Sequence, residues 1–263
     1  MGNKIAMTKK RRANIAMYVI VMMCLNSPAL AQVEDTIRVG HRLLKTGLAV
    51  GVDAIESYSV TGGVKKMLSY TARSITRTKV EIRNGEFEDA YKVTSTVRAE
   101  GANDASVSII VVRKSNLAMI RQEIRTKTDS GMIMWHDERI SGWKVLGNGR
   151  KVTVDTLIGH PVFPDDAISP WLLGQVSLNE KSIGRMLRFN YAAVREIWSV
   201  FKVEKSETLT WRKRPTLCWK VDAGPLGPAG YRMVRWIEKS TGLIISSVLQ
   251  RNKGETEYWS MLK

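Results

Sequence analysis

The sequence predicts an α+β protein, mainly antiparallel β. Three observations carry that reading. From about Ser69 onward, runs of β-branched and aromatic residues alternate with polar ones and are broken by Gly, Asn and Ser turn signals. The last third repeats strand and tight turn, the pattern of an antiparallel meander. Two segments, 33–56 and 191–203, instead place apolar residues at helical spacing.

The chain opens with an export signal. Lys4, Lys9, Lys10, Arg11 and Arg12 precede an apolar run from Ile15 to Leu25, and Asn26-Ser27-Pro28 and Ala29-Leu30-Ala31 follow. A basic region, a short apolar core and a small-x-small triplet define a cleavable secretory signal. The apolar run falls short of the roughly 20 residues that span a bilayer. An N-terminal anchor is the alternative. Cys24 follows Met22-Met23, where lipidation requires a small residue. The expected mature chain is 32–263, released by cleavage after Ala31 into the periplasm. The first 31 residues hold five cations and no acid, so 232 residues keep +11 of the total +16. A basic exported surface suits anionic membrane surfaces or cell-wall polymers and gives no reason to invoke nucleic acid; solubility explains it equally well. Cys218 is the sole cysteine after Ala31 and has no internal disulfide partner. Its alternating neighbours Leu217 and Trp219 place it in packing.

In the segment 33–56, Ile37, Leu44, Leu48 and Ile55 recur at roughly helical spacing, although Gly40, Gly47 and Gly51 each oppose a helix. A leading helix is expected there, with strands from about residue 69. Asn84-Gly85 marks a hairpin. Ala118, Ile120, Gln122 and Ile124 alternate with Met119, Arg121, Glu123 and Arg125. Residues 160–175 form a proline-punctuated connection ending in Trp171-Leu172-Leu173. In 191–203, Ala193, Ile197 and Phe201 recur at i, i+4, i+8, with Val194, Trp198 and Val200 beside them, and a short amphipathic helix is expected.

Chemistry-bearing motifs are sparse. The three histidines are His41, His136 and His160, and His136-Asp137-Glu138 does not have a metal-site spacing. Asp165-Asp166 follow Pro164, where they suit the start of a helical turn. No nucleophile elbow, phosphate loop or dinucleotide glycine pattern occurs, so neither catalytic residues nor a cofactor or metal is expected. Eight tryptophans are the more informative set. Each buries a large apolar area while its indole N–H seeks a partner. Most would serve as core; several together could line an apolar cavity.

Four segments, in order, carry a family resemblance: VVRKSNLAMIRQEI, MIMWHDERISGWKV, SPWLLGQ and YRMVRWIEKSTGLIISSVLQRNKGETEYW. Together they resemble the LolA-like superfamily of periplasmic outer-membrane lipoprotein carriers and sorting proteins, whose fold is shared by RseB-type sensors. Asp137, Trp143 and the Thr241-Gly242 turn match; Glu138 and Glu238 stand where Gly and Asp are commoner. The resemblance spans residues 106–259. It implies a curved, open half-barrel sheet with helices covering its concave face and acyl chains held between. It also implies a lid-closing arginine at a strand end, which Arg113 matches and for which Lys114 is a rival. The function it implies is a non-enzymatic periplasmic protein that carries or senses a lipid, lipoprotein or other amphiphile. The alternative is an RseB-type regulator that binds a periplasmic or inner-membrane protein partner. The expected cavity or lid residues are Arg113, Trp135, Trp143, Trp171, Leu172, Trp198, Phe201 and Trp236.

Overall fold

A computed structural model describes residues 35–136, 138–164, 169–226, 231–250 and 256–262. The segment expected to be an export signal, including Cys24, lies outside the described residues, as do Asp137 and Asp165-Asp166.

Within them the chain is almost entirely β. The first meander comprises β2 (Gly51–Thr61), β3 (Val64–Arg83), β4 (Glu86–Ala99), β5 (Ser106–Arg113), β6 (Met119–Arg125), β7 (Ser130–His136), β8 (Arg139–Val145) and β9 (Lys151–Leu157). The second comprises β11 (Ile183–Asn190), β12 (Arg195–Trp211), β13 (Arg214–Leu226), β14 (Tyr231–Glu238), β15 (Ile244–Gln250) and β16 (Thr256–Met261). Successive strands within each meander pair antiparallel, and β16 pairs antiparallel with β2, so the two meanders become one sheet. Two short strands, β1 (Asp35–Ile37) and β10 (Phe163–Pro164), lie parallel against β11 at Gly184–Met186 and at Arg188–Phe189. They cover an edge that would otherwise offer unpaired backbone groups.

The sheet rolls on itself. Ile75 of β3, Val93 of β4 and Ile110 of β5 share one core with Met186 of β11, Val203 of β12 and Ile237 of β14. These strands are separated along the sheet by β15, β16 and β2, so only a tightly curled sheet can bring them together. β11 is buried on both faces. Met186 enters that core, while Phe189 enters a second one with Ile133, Ile140 and Val154 of β7–β9. The end of the first meander therefore overlaps the outside of β11. β10 bridges the roll, because Val162 just before it accepts the Met119 amide at 2.9 Å.

One helix is present among the described residues, α1 (Ser169–Gln175). Pro170 suits its first turn. Leu172 and Leu173 are buried in the first core. The helix is fastened at its end: Gln175 accepts the Lys45 amide at 2.8 Å, and Leu44 bridges to Val176. Gly174 meets Gly242 so closely that a Cβ at 174 would lie 1.9 Å from the Gly242 carbonyl oxygen.

This corrects the expected α+β half-barrel with helices over its concave face. The described part of 33–56 is β1, a turn and the first half of β2, and 195–203 lies in β12. The physical reason is one of periodicity. A spacing of four is a multiple of two, so Ile197 and Phe201 share a face on a strand as they would on a helix. The intervening Trp198 and Val200 then fall together on the outside, where both are exposed.

Other expectations agree with the structure. The Asn84-Gly85 turn joins β3 to β4 with both residues at positive φ, 30° and 88°. β14, β15 and β16 form the antiparallel meander. Cys218 is buried. Burial, then the nearby Glu238 and Glu207, push its thiol up to about 11, so it stays protonated at neutral pH.

Candidate ligand-binding site

The inward-facing residues of β2, β3, β4, β15 and β16 are unlike those beneath α1. Strand alternation places Ile55 and Ser57 on β2, Ser69, Thr71 and Arg73 on β3, and Ser95 and Val97 on β4 toward one hollow. Ser247 and Ile245 of β15 and Trp259 and Met261 of β16 continue it. The register ties them together: Ser247 pairs with Trp259, Trp259 with Ser57, and Ser57 with Ser69. Small side chains leave space where larger ones would fill it. The resulting cavity holds about 280 Å³ and is bordered by Trp171 of α1.

The polar end of this cavity is built around Arg73. Its side chain is 6 % exposed and faces Asp53, which pairs with it across β2–β3. Nε and Nη2 of Arg73 donate to Oδ1 and Oδ2 of Asp53, each at 3.1 Å. Burial pulls the Arg73 pKa below its ordinary value, and Asp53 opposes that shift by charge and hydrogen bonding. The Trp171 ring lies against the guanidinium, 3.9 Å from centroid to Cζ. Its indole N–H is buried without a partner. Along the wall, Ser57 and Ser69 share a hydrogen bond of 2.8 Å, and the Trp259 indole donates to Glu257. The lining holds serines but neither histidine nor cysteine. It is an apolar trough with hydroxyl groups and, at one end, the Arg73–Asp53 ion pair.

A second cavity of about 240 Å³ lies where the β3–β4 hairpin meets β5 and β7, lined by Glu81, Arg83, Glu86, Arg113, Trp135 and His136 among others. Arg113 donates to Glu88 at 2.6 Å and lies 5.6 Å from the Trp135 ring.

The residues singled out from the sequence thus scatter. Trp171 borders the first cavity; Arg113 and Trp135 line the second. Leu172 and Phe201 are buried in the first core, Phe201 against Gly184, where a Cβ would lie 2.6 Å from its Cζ. Trp143 lies 5.0 Å from Lys151 Nζ, and Trp198 lies beneath Arg38 and Arg185. The Trp236 indole donates to Glu207 at 3.1 Å. Sequence reasoning missed Asp53, Ser57, Ser69, Arg73 and Ser95. Period two puts Asp53, Ile55 and Ser57, and Ser69, Thr71 and Arg73, on common faces once the strands are known, but these residue types show no alternation that marks them in the sequence.

No family model matches the sequence, and no curated protein matches it. Solved structures do. The chain is similar to a β-barrel-like protein of domain of unknown function DUF1849 from Brucella abortus, at 11% identity, covering 81% of this chain and 96% of that one, with a TM-score of 0.51. A DUF1329 family protein from Desulfovibrio piger aligns at 11% identity over 81% and 85% of the two chains, with a TM-score of 0.24. A domain described as an outer membrane lipoprotein-sorting protein, from Vibrio parahaemolyticus, aligns at 9% identity over 81% and 83%, with a TM-score of 0.23. The first likeness shows a shared β-barrel-like fold. Nothing about ligand or partner passes from these proteins to this chain.

Proposed function

We propose that this protein is a non-enzymatic binding protein of the bacterial periplasm that holds the apolar part of an amphiphile in the cavity bordered by Trp171. The observation that supports this reading best is the change of character along one sheet face. Where α1 inserts Leu172 and Leu173 the face is filled, and where the inward residues are Ser57, Ser69, Thr71, Ser95 and Ser247 it is hollow. A fold gains nothing in packing from such a hollow, since unfilled space forfeits dispersion contacts. A ligand supplies them.

Size narrows the cargo. A volume of about 280 Å³ lies at the lower edge of small-molecule pockets, which start near roughly 300 Å³. It accommodates one chain or ring system, not the several acyl chains of a mature lipoprotein. Each methylene buried contributes about 0.8 kcal/mol, so a single medium chain suffices for measurable affinity. The basic leader before Ala31 supports export, and the +11 of the remaining chain favours work near anionic membrane surfaces.

The test is native mass spectrometry of protein taken from the periplasmic fraction, followed by solvent extraction. The expected result is a chain beginning at Gln32 that carries one small amphiphile, lost in a Trp171→Ala variant. A protein that neither co-purifies with nor takes up any amphiphile overturns the reading.

A further inference from the structure

We infer that the tip of the β12–β13 hairpin docks this protein onto an anionic lipid bilayer. The inference goes beyond the cavity and does not depend on what the cavity holds.

β12 and β13 outrun their neighbours. β11 pairs with β12 no further than Lys202, and β14 pairs with β13 from Cys218 onward. The register inside the hairpin continues past both limits, through Thr208↔Leu217 and Leu209↔Thr216 to Trp211↔Arg214. The far stretch is thus a two-stranded arm, and its end carries Trp211, Arg212, Lys213 and Arg214.

The turn at that end breaks a local rule. A two-residue hairpin turn with positive φ at both central residues is the natural place for Asn and Gly. Two other long hairpins of the sheet conform. β2–β3 turns on Gly62-Gly63, at φ 58° and 80°, and β3–β4 turns on Asn84-Gly85. β12–β13 instead turns on Arg212 and Lys213, at 50° and 60°. A residue with a Cβ is disfavoured there, and here two follow one another. Backbone strain of this kind clusters at functional positions, and in this hairpin it sets two long cations at the outermost point of the arm.

What the arm presents is charge beside apolar surface. From Thr208 to Leu217 there are three cations and no acid. Arg212, Lys213 and Arg214 are exposed, and no carboxylate among the described residues pairs with them. The Trp211 ring lies next to them, with Arg212 Cζ 4.4 Å from its centroid. Leu217, on the other face of the arm, is 51 % exposed. At the arm's root the Lys239 amide donates to the Leu217 carbonyl at 3.0 Å, which brings a fourth cation alongside. Cations suit lipid phosphates, and an indole and a leucine suit the zone just beneath them. Form separates a membrane from an acidic protein. The end of a two-stranded arm offers far less than the roughly 800 Å² per partner of a stable protein interface, whereas lipid headgroups rearrange around a tip.

The experiment is flotation of protein purified from the periplasmic fraction with vesicles of phosphatidylglycerol and phosphatidylcholine in equal parts, against vesicles of phosphatidylcholine alone. The anionic vesicles should bind at least tenfold more tightly, and added salt should weaken that preference. The deciding variant is Arg212→Asn, Lys213→Gly, which removes two charges while giving the turn the residues it favours. Affinity for the anionic vesicles should fall at least tenfold while the unfolding midpoint stays or rises, so the loss is not one of folding. Lys65→Gln, Lys66→Gln removes the same charge at the β2–β3 hairpin, whose turn lies at the opposite end of the sheet, and should change affinity less than twofold. Undiminished binding by the Asn-Gly variant, or equal losses in both variants, overturns the inference. So does a wild-type protein that ignores both kinds of vesicle, including one that instead binds polyglutamate through Arg212 and Lys213, the mark of an acidic protein partner.

Discussion

The two halves of the concave face are made of the same strands' alternation and share one helix, yet one is a core and the other a cavity. Beneath α1 the inward strand positions are Phe163, Val203 and Ile237, all nearly inaccessible. Beside it they are Ser57, Ser69, Thr71 and Ser95, with a buried ion pair instead of an aliphatic contact. Alternation decides which residues point inward, and side-chain volume decides whether the inside is full. α1 belongs to both halves, since Leu172 and Leu173 complete the core while Trp171 covers the guanidinium at the cavity's edge.

The comparison is broken most severely at Asp53. Asp53→Ala leaves Arg73 buried without its partner, and uncompensated buried charge costs about 3–5 kcal/mol. Urea denaturation should show that loss, and the Asp53→Leu, Arg73→Met pair should recover most of it. A single variant within about 1 kcal/mol of wild type would mean that water reaches Arg73 and that the hollow half is wetter than its burial implies. On the filled side, Leu172→Ala should cost about 2–5 kcal/mol through lost contacts and an unfilled cavity. Its effect on ligand affinity should be small, which separates packing in the core from occupancy of the hollow.

A smaller effect is expected where the helix is fastened. Gly242 has φ +73°, and its carbonyl oxygen occupies the space a Cβ on Gly174 would take. Gly174→Ala must push α1 off the β14–β15 turn, because the obstacle is backbone and not a flexible side-chain end. Overpacking of this kind costs about 1–3 kcal/mol. Since the same helix carries Trp171, ligand affinity should fall with stability, whereas a similar stability loss in the second core, for instance Ile140→Val, should leave affinity intact.

How much of this was legible in the sequence follows from period and from contact distance. The β14–β16 meander and the β3–β4 hairpin were readable because turn residues and alternation lie next to one another in the chain. The 195–203 strand was not, because its apolar residues recur at four, a spacing both structures satisfy, and in 33–56 the pair Leu44 and Leu48 offered the same spacing. The cavity needed β16 beside β2, a pairing that joins the two ends of the described chain and leaves no local trace. Tryptophan was a guide to Trp171 but not to its neighbours. A serine on a strand is legible as a cavity wall only once the face it shares with Arg73 is known.

The mildest substitution separates the two roles of α1 most cleanly. Trp171→Leu keeps an apolar side chain of good helix propensity next to the core but removes the aromatic face and the indole N–H. Trp171 is only partly buried, and the lost cation–π contact at 3.9 Å is worth about 0.5–2 kcal/mol, so the unfolding midpoint should move little. Affinity for a single-chain amphiphile should fall at least tenfold, because both the cover over Arg73 and a buried donor are gone. A larger loss of stability than of binding would instead make Trp171 part of the core that Leu172 and Leu173 complete, and would erase the boundary between the filled and hollow halves.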